Sequence, residues 1–295
     1  MNTDAGPSPN GRVPEAWHRP WTHLSVDRRS SGYCRVTFDH PPINTITATT
    51  VAELAELVGL IEHDPDLNVV VFASANPDFY LAHYDAERDP ARTAALGIGP
   101  TGMHAWVDLL VRLSRASAVS IASIRGRARG AGSEFVLACD MRFASRENTV
   151  LGQFEVATGV IPGGGPMARL SRLVGRGRAL EILLVGDDLD GPRAEQYGYV
   201  NRTIADSDLD AGVDAIASRL ARFSHEAIGR AKSYVDRVTL PPEGEFPPAL
   251  VDFFELLGRP THQAQFARLE ALGLNTDSDL EWSLGRRVVE SLPDA

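Results

Sequence analysis

Two carboxylates in this sequence stand where proton chemistry could be done. Glu134 follows the run Gly130-Ala131-Gly132-Ser133, and Glu155 lies just before a second glycine-rich turn, Gly163-Gly164-Gly165. A turn of small residues that opens into a helix leaves backbone N–H groups free at the helix start, and lets a ligand oxygen come close to them. That geometry suits a carbonyl oxygen that becomes an oxyanion. A carboxylate in the first helical turn is favoured in its ionised form, and two carboxylates around one pocket can divide the roles of acid and base. The residue types leave a plainer reading open: an acid in a first turn is ordinary helix chemistry, and Glu155 could pair with any nearby arginine. A dinucleotide site does not fit, because GRARGAGSE lacks the G-x-G-x-x-G spacing and comes late in the chain. Ser133 lacks the following glycine of a nucleophile elbow.

The elements that would hold these turns follow from periodicity. YCRVTFD (33–39) alternates as a half-buried strand does, and from residue 49 the apolar positions Val51, Leu54, Val58 and Ile61 recur at helical spacing, with Thr49 or Thr50 as cap. NVVVFAS (68–74) is a continuous β-branched run, expected in a parallel sheet covered on both faces. A helix over 103–115, the strand VSIASIRG, a helix from Ser133 and the strand MRFAS continue the alternation. Strand and helix in this order predict crossover units of an α/β fold. After Pro166 the signals are helical, apart from YVNRTI. The organisation expected is a flexible arm over 1–25, a core over 26–205 and a helical region over 206–295.

Composition narrows the function classes. The chain has 295 residues, 43% of them hydrophobic, so a sizeable core is expected. A net charge of −10 argues against nucleic acid or an anionic membrane as partner, for lack of cations to neutralise phosphates. Cys34 and Cys139 are far apart and outside any metal-ligand spacing, so neither a disulfide nor a metal site is expected. With no signal peptide and no membrane-length apolar run, a cytoplasmic location is the expectation. Arg125, Arg127 and Arg129 would share one face of an extended segment, available to an anionic ligand or a carboxylate. Trp17, Trp21 and Trp106 give no mechanistic signal.

IASIRGRARGAGSEFVLACDMRFAS resembles the I-A-A-V-N-G-x-A-x-G-G-G-x-E-L-x-x-x-C-D segment of the crotonase superfamily, the enoyl-CoA hydratase/isomerase family, and LGQFEVATGVIPGGG resembles its F-G-x-P-E-x-x-x-G-x-x-P-G-x-G segment. The likeness runs over about residues 33–204. It implies a crotonase-like spiral of ββα units, a helical C-terminal region that assembles trimers or hexamers, and an acyl-CoA or related acyl-thioester substrate. No cofactor is implied beyond coenzyme A as part of that substrate. The family holds a thioester enolate with two backbone N–H groups; the middle of its G-G-G run is Ala131 here, and its F-x-A-G-x-D stretch, which FYLAHYD resembles, points to His83. Glu134 and Glu155 match the catalytic pair of the hydratases. Isomerases of the family commonly keep only the second, so hydration is favoured over isomerisation, decarboxylation, C–C hydrolysis or plain acyl-thioester binding. Substrate contacts are implied at Asn44, Leu81, Tyr84, Gly130, Phe154 and Gly163. His83-Tyr84 replaces a small residue and an aspartate, which makes the pocket roof bulkier, and Phe154 replaces a proline. The usual F-x-E-K-R ending, which helps to hold the CoA adenine, is missing, so another acyl carrier is the alternative to CoA.

Overall fold

The computed structural model describes residues 15–85 and 90–292. Its larger sheet contains β1 (Leu24–Ser30), β2 (Tyr33–Phe38), β3 (Val69–Ser74), β5 (Val119–Ile124), β7 (Met141–Ser145) and β10 (Arg202–Ile204), in that spatial order. β1 and β2 form an antiparallel hairpin, and the remaining neighbours are parallel. A second sheet takes the strands that follow in each unit: β4 (Phe79–Leu81), β6 (Arg127–Arg129), β8 (Val150–Gly152) and the antiparallel β9 (Leu189–Asp190). The pairs β3 and β4, β5 and β6, and β7 and β8 thus each give one strand to each sheet, whereas β1 and β2 both join the larger one.

The apolar runs are continuous because both faces of the larger sheet are covered. Val70 and Phe72 face the helices Ala48–His63 and Ala105–Arg115, whereas Val69 and Val71 face Leu209, Val213 and Ala217 of the helix Leu209–Leu220. Phe135 stands edge-on to both Phe38 and Phe72, with ring centroids 5.4 and 5.0 Å apart. This fixes the helix Ala131–Ala138, which carries Glu134, against the centre of the sheet.

Four expectations change. The first long helix is capped by Thr47, which exchanges bonds with Thr50 in a capping box, rather than by Thr49 or Thr50. The helix expected from Ser133 begins at Ala131, and part of the connection before it is β6. Residues 1–14 of the expected arm lie outside the described residues, but the rest of it is packed: Trp17 is buried under the Arg28 guanidinium and β1 starts at Leu24. The boundary at 205 cuts through a single core, since Leu209 and Val213 pack on β3 and β5. No helix among the described residues is long and apolar enough to cross a membrane.

Removing the Phe135 ring should leave a cavity between sheet and helix. Phe135→Ala is expected to lower unfolding free energy by about 3–5 kcal/mol in denaturant titration; a loss below about 1 kcal/mol would contradict the packing role.

Candidate active site

Gly130 and Gly132 determine how the two sheets meet the site. Gly130 has φ +49°, a backbone conformation that side chains disfavour, and it turns β6 directly into the helix. At Gly132 an added Cβ would lie 2.0 Å from the Leu81 carbonyl oxygen. The helix start can therefore rest on the end of β4. As the first helical residue, Ala131 has no intrahelical acceptor for its N–H, and neither its N–H nor that of His83 is hydrogen-bonded among the described residues.

Glu134 lies in the first turn of this helix, buried, with both oxygens engaged. Oε2 accepts from the Trp106 indole and Oε1 from the Gly164 backbone, each at 2.7 Å. Burial raises the Glu134 pKa above the usual carboxylate range, opposed by these two bonds and by the Arg169 charge. Glu155 opens a short 3-10 turn, Glu155–Thr158, directly after Phe154. Its pKa is raised well above the usual range, first by burial and then by the Glu134 charge. Behind it Gln153 donates to both carboxylate oxygens at 3.0 Å, with its amide oriented so that its oxygen accepts from Ser133 Oγ at 2.9 Å. Ser133 in turn bonds the Tyr199 hydroxyl. Ser133 is thus a buried link in a chain that orients Glu155.

A Cβ built on Gly130 would lie 3.1 Å from Glu155 Oε1, 3.2 Å from the Phe154 ring and 3.4 Å from His83 Cβ. Glu134, Glu155, Ala131, His83, Gly130 and Phe154 are therefore brought together, with Leu81 supplying the backbone on which Gly132 packs. The other expected contacts stand further back. Asn44 is buried with its amide bonded to Ser74, Phe79 and Tyr80, so its side chain ties the segment leading to His83 and is not available to a ligand. The Tyr84 hydroxyl donates to Thr93, and Gly163 packs against Leu250 and Phe253 of the helix Pro247–Leu257.

His83 is buried, and its Nε2 lies 2.7 Å from Glu281 Oε1. Burial alone would favour the neutral ring, but the Glu281 carboxylate outweighs it and raises the His83 pKa. The three alternating arginines all find partners within the chain. Arg125 pairs with Asp206 and Asp210, Arg127 lies over Trp282, and Arg129 pairs with Asp188 through Nε and Nη2.

With this geometry, the comparison with known proteins is direct. The sequence profile of the family described as enoyl-CoA hydratase/isomerase matches residues 28–245. The chain belongs to the enoyl-CoA hydratase/isomerase family. Among its relatives, a probable enoyl-CoA hydratase of Mycobacterium leprae is 28% identical over 70% of this chain and 79% of its own length. A short-chain enoyl-CoA hydratase of Clostridium acetobutylicum is 29% identical over 68% and 77%. A crystal structure of an enoyl-CoA hydratase candidate from Streptomyces avermitilis superposes with a TM-score of 0.87 at 40% identity, over 94% of this chain and 99% of that one. The ββα units and the helical C-terminal region are therefore the crotonase fold of this family.

Trp106, Gln153, Tyr199 and Glu281 were not legible as site residues. Trp106 is 28 positions from Glu134, and no local pattern links an indole to a distant carboxylate. Because the indole N–H favours the ionised Glu134, Trp106→Phe should raise the Glu134 pKa further. A carboxyl titration by 13C NMR is expected to show its protonation moving to higher pH; an unchanged titration would contradict this role.

Proposed function

We propose that this protein adds water to, or removes it from, the double bond of an α,β-unsaturated acyl thioester carried on coenzyme A. The observation that carries this reading is the convergence on one glycine turn of two carboxylates with raised pKa values and two unbonded N–H groups. The proposal includes no cofactor beyond the coenzyme A of the substrate, and a cytoplasmic reaction.

In the hydration direction, water oxygen bonds to the β-carbon while Glu134 takes one of its protons. The π electrons of the double bond move towards the thioester oxygen, giving an enolate held by the N–H groups of His83 and Ala131. Glu155 then delivers its proton to the α-carbon and the carbonyl re-forms. The division of roles follows from the environments. Glu134 accepts two N–H bonds that favour the carboxylate, and Glu155 is shifted towards the acid by burial and by the neighbouring negative charge. The two titrate as a coupled pair. Fixed N–H donors where charge develops contribute most when they need no reorganisation during the reaction.

A second reading, proton transfer along the acyl chain by Glu155 alone, draws on the indole that already occupies Glu134 Oε2. A homo-oligomer, trimer or hexamer, is also part of the proposal: Tyr234, Val235 and Val238 leave an apolar stripe exposed on the helix His225–Thr239.

Incubation with a panel of enoyl-CoA thioesters in heavy-oxygen water, followed by mass spectrometry, tests the proposal. Labelled oxygen is expected at the β-carbon, with turnover lowered on the order of 10²–10⁴-fold in Glu134→Gln and Glu155→Gln. Exchange at the α-carbon without oxygen label, surviving Glu134→Gln, would instead support the second reading; near wild-type hydration in both variants would refute the acid/base assignment.

A further inference from the structure

The segments that carry the two N–H donors leave the second sheet from neighbouring strands. β4 runs on to His83, and β6 runs on to Gly130 and Ala131. A turn from far along the chain, Asp279–Trp282, lies across both. From the first segment, His83 Nε2 meets Glu281 Oε1 at 2.7 Å. From the second, Arg129 donates to the Glu281 carbonyl at 2.7 Å and Arg127 to the Trp282 carbonyl at 3.0 Å. The Trp282 ring stands edge-on to Phe79 of β4, 5.6 Å between centroids, with the Arg127 guanidinium 4.3 Å from it. Two consecutive residues thereby grip both strands just before their N–H groups enter the site.

The chemistry of this grip is unusual for a structural clasp. The Glu281 side chain is fully buried; its Oε1 also accepts the Asn275 N–H, while Oε2 has no partner among the described residues. A buried histidine–carboxylate pair with an unsatisfied oxygen is a poor source of stability, and well-packed apolar residues of similar volume serve as well or better. What the hydrogen-bonded pair supplies is direction. We infer that Glu281 is a positioning residue for the oxyanion hole: by holding His83 from the turn that also binds β6, it fixes the His83 N–H relative to the Ala131 N–H. This rests on the assignment of those two N–H groups under Proposed function.

The pair should also make the geometry depend on pH. The groups around the His83 ring are Glu281, the Tyr84 carbonyl at 3.4 Å, the Phe154 ring at 5.5 Å between centroids, and the Arg129 charge, itself paired with Asp188. Glu155 lies across Gly130. Glu281 raises the His83 pKa, so the pair is present at lower pH and is lost as pH rises through that raised value.

The test compares wild type, Glu281→Gln and Glu155→Gln on crotonyl-CoA, measuring kcat and KM separately across pH, with 15N spectra of His83 and of the Ala131 amide. Glu281→Gln keeps the size of the side chain and is expected to fold. It should lower kcat roughly 10- to 100-fold with little change in KM, abolish the alkaline decline in kcat, move the His83 ring titration to lower pH than in wild type and move the Ala131 amide resonance. Wild-type kcat, pH profile and Ala131 resonance in Glu281→Gln, with Glu155→Gln inactive, would overturn this inference alone. Full activity in Glu155→Gln would overturn the functional reading instead. With no turnover of crotonyl-CoA by any form, the Ala131 resonance decides: movement in Glu281→Gln supports the coupling, and none overturns it.

Discussion

The site depends on one close approach, that of Gly132 to the carbonyl oxygen of Leu81. A methyl group at Gly132 would lie 2.0 Å from that oxygen, so any side chain would separate the helix Ala131–Ala138 from the end of β4. Gly130, two residues earlier and with φ +49°, sets the direction of approach. Within a helix, as at Gly132, glycine costs up to about 1 kcal/mol relative to alanine. That loss is offset by the parallel pairing of β4 with β6 and by the aromatic packing of Phe135 behind it. The result is a helix N-terminus and a strand end placed side by side, with the N–H groups of Ala131 and His83 unbonded among the described residues.

Around this approach the titratable groups are arranged before any substrate binds. Glu134 is held by an indole and a backbone N–H, and Glu155 by Gln153, which is oriented through Ser133 and Tyr199. The two carboxylates differ in what surrounds them, and so in which form each prefers. Glu134 is drawn towards the anion by its two donors, while Glu155 is driven towards the acid by burial and by Glu134. This difference in surroundings is what the proposed division into base and acid draws on.

Much of this was legible in the residues and some was not. The parallel strands were readable because VVVFAS and VSIASI are apolar on both faces, and the helices after Pro166 because their periodicity is strong. The glycine turns and both glutamates were readable because small residues beside a carboxylate leave a local signature. The β1 strand was missed since LSVDRRS is largely polar outward, and β4 and β6 because strands of three residues have no period to read. Asn44 matched a position expected to contact substrate, yet its amide is used up within the chain. Trp106 and Glu281 were invisible for another reason: they act across 28 and 198 positions of sequence. Phe154, read as a replacement that reshapes the acyl pocket, also packs on Leu269, Leu280 and Leu284, so it joins the site to the C-terminal region.

The central claim is that the N–H groups of His83 and Ala131 polarise a thioester carbonyl. Isotope-edited infrared spectroscopy of a bound enoyl-CoA, labelled with 13C at the thioester carbonyl, tests it most directly. Two fixed donors should lower the carbonyl stretching frequency relative to the free thioester, and the lowering should persist in Glu155→Gln, where the chemistry stops but the donors remain. A bound thioester whose carbonyl stretch equals that in water would contradict the account.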